Sequence, residues 1–143
     1  MDTSGEGVSV SQVIDFVREN HRAVLGTTRS DGGVQLSPVA AGVDSDGHLI
    51  ISSRETAIKT LNLRKRPTGW LCTFTDRFYG SWHQAEGAFE VVSLPDAMEG
   101  LIAYYRGISG EHPDWADYER AMRDERRVLL KMTVERVGPS RSG

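Results

Sequence analysis

The sequence has a single cysteine, no long hydrophobic run and no excess of basic residues, and each shortage excludes a class of protein. The lone Cys72 cannot form an internal disulfide, which excludes a small fold held together by disulfides. Because it lies in an apolar stretch, we expect it to be a buried, inert thiol. The hydrophobic runs are far shorter than the roughly 20 residues of a membrane-spanning helix. A formal net charge of −3 provides no general attraction for nucleic acid.

Familiar catalytic signatures are missing as well. The chain has no Gly-x-Ser-x-Gly elbow, no Walker loop and no Gly-x-Gly-x-x-Gly fingerprint. None of its histidines has a partner at a spacing typical of metal ligands, so we predict no metal site. No nucleophile with a base is evident, so we predict no catalytic residue. Any enzymatic chemistry is then expected to come from a bound cofactor that the protein orients.

The length of 143 residues fits one domain with one hydrophobic core. We predict that this domain spans residues 8–137 and that residues 1–7 and 138–143 are flexible tails. The first seven residues carry acidic side chains and no apolar segment, so no signal peptide is expected. The cytoplasm is therefore the expected compartment.

Hydrophobic periodicity predicts helices and antiparallel strands in alternation. The predicted helices are Val10–Asn20, Ala57–Lys65, Asp96–Arg106 and residues 115–125. The predicted strands are Ala23–Thr28, Val34–Val43, His48–Ser53, Thr68–Thr75, Ser81–Val92 and Val128–Val137. Ser9 with Gln12 fits a capping box for the first helix. Thr56 and Asp114 are the expected N-caps of the second and fourth helices.

These elements predict a mainly β, α+β fold, a six-stranded antiparallel split β-barrel with flanking helices. Asp-Gly-type turns at 30–33 and 44–47 join the first three strands and indicate antiparallel pairing. Closure into a barrel is favoured because it removes exposed strand edges. A barrel of this size has little room for a private pocket, so a ligand is expected in an outer groove that a second subunit completes.

The segment from Ser52 to Arg64 gives the strongest local signal for a ligand. A strand end rich in hydroxyls runs into a helix start, with Arg54 before the helix and Lys59 inside it. Free backbone N–H groups, hydroxyls and a cation together suit a phosphate. The same residues also fit a solvated basic helix face whose hydroxyls only cap the helix, and the residues alone leave both interpretations open.

Two other segments could contact a flat ligand. In Gln35–Val39, Pro38 indicates either a protected edge strand or a bulge whose backbone groups could bind the rim of a heterocycle. In Ser81–Gln84, Trp82 either stacks on a ligand or fills the core. Both pairs of alternatives remain open at this point.

The joint order of these segments resembles the pyridoxamine 5′-phosphate oxidase-like superfamily of split β-barrels. The likeness is greatest to the actinobacterial deazaflavin-dependent oxidoreductases, which use coenzyme F420, and it runs from about residue 13 to residue 137. The matching segments are Leu25–Gly32, Gln35–Val39, Lys59–Arg64, Glu86–Ala88, Leu101–Arg106 and Arg126–Leu130.

The resemblance implies a homodimer with a cofactor site at the interface, and it implies a role for each matching residue. The helix after the third strand would grip the cofactor phosphate, the second strand would lie along the ring, and Trp82 would reach over from the dimer mate. The cofactor-binding residues implied in this way are Gln35, Ser37, Pro38, Val39, Ser52, Ser53, Arg54, Lys59, Asn62 and Trp82.

Departures from the family pattern narrow the expected activity. Oxidases of pyridoxamine phosphate share an arginine and a lysine on the second strand, and the matching positions here are Ser37 and Gly42. Those oxidases also share a basic C-terminal segment that we do not find here. Vitamin B6 oxidation is therefore not expected. The resemblance implies instead an oxidoreductase that uses reduced coenzyme F420 to transfer hydride to a small conjugated organic substrate. An FMN-dependent oxidoreductase of the same fold, or a non-catalytic F420- or flavin-binding carrier, is the alternative.

Overall fold

Helices and strands alternate along residues 7–142, the part of the chain that the computed structural model describes. The helices are α1 (Val10–Glu19), α2 (Ile58–Lys65), α3 (Met98–Ser109) and α4 (Trp115–Asp124). The strands are β1 (Arg22–Thr28), β2 (Val34–Ala40), β3 (Gly42–Val43), β4 (Leu49–Arg54), β5 (Thr68–Phe74), β6 (Ser81–Val92) and β7 (Arg127–Ser142). Most of the N-terminal tail predicted at 1–7 lies outside the described residues. No helix in the described part is long and apolar enough to cross a membrane.

The strands form one curled antiparallel sheet in the order β2-β1-β5-β6-β7-β4-β3. Its curl brings β2 back against β4, although these two strands are not hydrogen-bonded neighbours. We call this junction between β2 and β4 the seam. The predicted fold class, an antiparallel split barrel with flanking helices, is confirmed.

Side chains along β4 and β7 point alternately to the two faces of the sheet and so contribute to two separate hydrophobic cores. Leu49, Ile51 and Leu130 face the inside of the curled sheet and are completely or almost completely buried there. Ile50 and Leu129 point to the opposite side, where α3 and α4 cover them. Successive strand residues point to opposite faces, so β4 and β7 are buried on both sides. Helical layers therefore cover only part of the sheet.

Two of the three predicted helix caps are confirmed. The backbone N–H of Gln12 donates to the Ser9 hydroxyl at 3.2 Å, and the Gln12 side chain accepts from the Ser9 N–H at 2.7 Å. Asp114 accepts from the third residue of α4 at 3.2 Å. The predicted Thr56 cap is wrong. The turn closed by the Ala57 N–H on the Arg54 carbonyl delays the start of α2, and Ala57 occupies the cap without a side-chain bond.

The strand count and two strand ends differ from the prediction. The predicted strand Val34–Val43 is interrupted at Ala41, whose N–H donates to the carbonyl of His21. The interruption divides it into β2 and β3, so the described chain has seven strands instead of six. The final strand does not end at Val137. Register shifts in its pairing with β6 let it continue through Ser142, opposite the start of β6, into the predicted C-terminal tail. Such long-range pairing has no local sequence signal.

A glycine at one of these register shifts provides a test of the strand packing. A Cβ on Gly87 would collide with the backbone carbonyl of Thr133, whereas a Cβ on the exposed helical Gly107 would meet nothing within 4 Å. We expect Gly87→Ala to lower the free energy of unfolding by about 1–3 kcal/mol because the strands must move apart. Gly107→Ala should raise it by up to about 1 kcal/mol through helix propensity. Urea unfolding of both variants measures this; equal effects would contradict the assigned β6–β7 contact.

Candidate functional site

A tyrosine hydroxyl spans the seam. Tyr104 on α3 donates a hydrogen bond to the carbonyl of Ala40, the last residue of β2, at 2.9 Å. The backbone N–H of Ser52 on β4 lies near the same hydroxyl and acts to lower its pKa. Burial raises the pKa of Tyr104, so the hydroxyl keeps the proton that it donates. Sequence analysis missed this role, because a tyrosine on the apolar face of a helix is typical of ordinary core packing.

Lys59 is a partly buried cation without a counter-charge. It is the second residue of α2 and shares a helix face with the buried Leu63 four residues later. Within residues 7–140, Lys59 lies within ion-pair distance of no carboxylate. Burial, followed by the nearby charge of Arg127, lowers the pKa of Lys59. An unneutralised ammonium at a helix start is a favourable place for an anion.

The hydroxyls predicted to accompany Lys59 are divided between two faces of β4. Ser53 points inward, is 2% exposed and shares a 2.8 Å hydrogen bond with Thr60 on α2. Ser52 points the other way, toward the α3 side of the sheet. Arg54 is largely exposed and lies 3.6 Å from Glu125. The structure thus keeps all three near the start of α2 but engages two of them in protein contacts, and their contact with phosphate stays a prediction.

Asn62 holds α2 against the sheet. Its buried amide donates to the hydroxyl of Thr27 on β1 at 3.1 Å, and its oxygen accepts from Arg66 at 3.3 Å. The Thr27 hydroxyl in turn donates to the side chain of Gln35 on β2 at 3.3 Å. This chain of hydrogen bonds links the helix that carries Lys59 to the strand predicted to lie along the cofactor ring.

The second strand has one unsatisfied polar atom. Gln35, Ser37 and Val39 lie on the inward side of β2, in register with the inward residues of β1, whereas Pro38 points outward. The Ser37 hydroxyl is buried and has no hydrogen-bond partner. Pro38 keeps its place opposite Val24, so β2 is a regular edge strand and the bulge interpretation of Pro38 is wrong. An orphaned buried hydroxyl normally signals a missing polar partner.

Trp82 belongs to neither core. It lies on the outward face of β6 and lines a cavity of about 390 Å³ with apolar residues of β1, β5 and the β5–β6 loop. The other lining residues are Val24, Cys72, Phe74, Phe78 and Tyr79. Cys72 is only partly buried, so the prediction of a buried thiol is wrong, because its strand position points to the outward face of the sheet. Burial of part of its side chain raises its thiol pKa.

The histidines also differ from expectation in one respect. His48 does have an acid at ligand-like spacing, because its Nδ1 lies 3.1 Å from Asp44, with Asp46 also close by. Asp44 already accepts backbone hydrogen bonds from Asp46 and His48, which fixes the turn between β3 and β4. The prediction that no such spacing exists is wrong, and the group serves a turn.

Lys59 and Ser37 together fit a phosphate-bearing heterocyclic cofactor. Lys59 offers an uncompensated charge beside the end of β4, and Ser37 offers a free hydroxyl on the strand across the seam. A charged anchor and a neutral hydrogen-bonding group suit the two ends of such a molecule. The two groups can bind and orient a ligand without themselves supplying an acid or a base.

The chain is similar to known proteins along nearly its whole length. The chain matches the pyridoxamine 5′-phosphate oxidase family over residues 10–140. A conserved hypothetical protein from Mycobacterium tuberculosis is 22% identical with a TM-score of 0.76, over 94% of this chain and 85% of that one. A putative 5-nitroimidazole antibiotic resistance protein from Bacteroides thetaiotaomicron is 15% identical with a TM-score of 0.69, over 91% and 82%. A protein described as an F420 reductase is 17% identical with a TM-score of 0.66, over 87% and 94%.

Removing the charge of Lys59 should stabilise the protein when no ligand is bound. The pKa of Lys59 is lower in the folded protein than in a free side chain, so its charged form destabilises the fold at neutral pH and below. We expect Lys59→Met to raise the melting temperature, by about 2–4 °C for each kcal/mol recovered. The gain should disappear as the pH rises toward the pKa of free lysine. A lower melting temperature at pH 7 would mean that Lys59 is a structural residue.

Proposed function

The chain belongs to the pyridoxamine 5′-phosphate oxidase family, and we propose that it is an oxidoreductase that uses reduced coenzyme F420 to transfer hydride to a small conjugated organic substrate. The single observation that carries this proposal is the uncompensated Lys59 beside the end of β4. A site that holds positive charge without a protein partner is adapted to an anionic ligand.

Each residue near the seam has a part in this proposal. Lys59 binds the cofactor phosphate at the start of α2, and Ser52, Ser53 and Arg54 surround that position. Ser37 donates to the rim of the ring, while Gln35, held by Thr27, fixes the neighbouring edge. Pro38 and Val39 supply apolar contacts, and Asn62 keeps α2 in place. When bound, the reduced deazaflavin supplies the hydride.

The outward face of the sheet supports a homodimer. Val34 and Leu36 on β2 are 51% and 67% exposed, and Phe78 and Tyr79 in the β5–β6 loop are 76% exposed each. They border two adjoining apolar cavities along β1, β5 and β6. A continuous apolar face of this kind is typical of an interface. We propose that a second copy covers it and brings Trp82 to the partner's cofactor.

Cofactor titration tests the site. Purified protein is titrated with coenzyme F420 and separately with FMN, following cofactor fluorescence. We expect Lys59→Met to weaken binding by about 1–3 kcal/mol, roughly fivefold to 150-fold in Kd, through the lost charge-assisted contact. Lys65→Met removes an exposed charge from the other end of α2 and should leave the affinity unchanged.

The pattern of results decides between the cofactors. Binding of F420 alone, followed by turnover with a conjugated acceptor, supports the proposal. A yellow protein that prefers FMN points to the flavin-dependent alternative, and binding without turnover points to a carrier. If the parent and Lys59→Met bind the cofactor with equal affinity, Lys59 does not bind its phosphate.

Charge placed on the outer face should separate the dimer. Leu36→Asp puts a carboxylate on this surface, and we expect sedimentation to give a monomer with weaker cofactor binding. Leu61→Asp alters a leucine that is 45% exposed on α2 and should leave the assembly intact. A monomeric parent protein would exclude the shared site.

A further inference from the structure

Arginines gather at the junction of α4 and β7, beside the proposed phosphate site. A cavity of about 320 Å³ lies there, lined by Arg123, Arg126, Arg127, Glu55 and Leu94. The charge of Arg127 also reaches Lys59 and lowers its pKa. The cavity therefore borders the cofactor site without containing Lys59.

The nearby carboxylates are already engaged. Glu55 accepts from the guanidinium of Arg64 at 2.6 Å and from the hydroxyl of Ser93 at 2.8 Å. Glu125 pairs with Arg127 at 2.8 Å. These contacts leave little negative charge for the remaining arginines.

The other two arginines of the cavity have weaker carboxylate contacts, although the charge of Arg126 helps to lower the pKa of Glu55. Arg126 forms no ion pair in the part of the chain with described side chains. Arg123 lies 3.9 Å from the carboxylate of Glu119. The cavity therefore carries net positive charge.

Arg126 also occupies an unfavourable backbone conformation. Its φ of 54° lies in the left-handed region, which costs a residue with a Cβ more than it costs glycine. The turn is fixed by its own backbone, because Arg126 donates to the carbonyl of Arg123 and accepts from the N–H of Glu55. The backbone here would favour glycine, so the arginine side chain is not required by the turn. Strain of this kind concentrates at binding sites.

We propose that the arginine cavity binds a small anion that carries two or more phosphate or carboxylate groups. Its volume falls within the range of small-molecule sites, and Leu94 provides an apolar wall. Guanidinium groups bind both kinds of anion through paired hydrogen bonds. The anion is either a separate metabolite or a charged part of the cofactor that extends past its phosphate.

Calorimetric titration with pyrophosphate and with citrate, at low salt and without cofactor, tests this site. We expect Arg126→Gly to weaken binding by about tenfold or more while melting no lower than the parent, since glycine accepts this φ. Arg123→Ala should weaken binding similarly and serves as the second variant if Arg126→Gly folds poorly. Arg120→Ala removes a charge from the same helix outside the cavity and should bind as the parent does.

Unchanged affinity in both cavity variants, or an equal loss in Arg120→Ala, would overturn the proposal. So would binding that only Lys59→Met abolishes, because the probe would then occupy the phosphate site. Repeating the titration with saturating cofactor separates the two sources: competition indicates a part of the cofactor, and simultaneous binding indicates a separate anion. Because the first titration contains no cofactor, its result does not depend on the proposed function.

Discussion

The structure depends on the seam, where the curl of the sheet brings β2 against β4 without hydrogen-bonded pairing. Backbone groups along such a junction need partners, and the hydroxyl of Tyr104 donates to the Ala40 carbonyl of β2 while lying near the backbone N–H of Ser52 on β4. This sets the spacing between β2 and β4. The candidate site follows from that spacing, because β2 carries Ser37 and β4 leads into the helix that carries Lys59.

Unneutralised positive charge is concentrated at one corner of the fold. Partial burial of Lys59 near Arg127 opposes folding, and so does the left-handed backbone of Arg126. The hydrophobic cores on both sides of β4 and β7 offset these costs. Such local costs in an otherwise well-packed fold are typical of sites shaped by ligand binding rather than by stability.

The same strands serve the interior and the exposed apolar face. On β1, Leu25 is buried in the core while Val24 lines the outer cavities, and on β5 the neighbours Leu71 and Cys72 are divided in the same way. This division is a consequence of the two-residue period of a strand. It allows the seam and the proposed dimer surface to be built from one sheet without competing for side chains.

The sequence by itself determined most of the elements and the fold class. Strand alternation, Asp-Gly turns and the Ser9 and Asp114 caps are local signals that act over a few residues. Only the tertiary structure decided that Ser37 is orphaned, that Tyr104 spans the seam, and which face receives Trp82. These features depend on register and on contacts between residues far apart in the chain, where local periodicity carries no information.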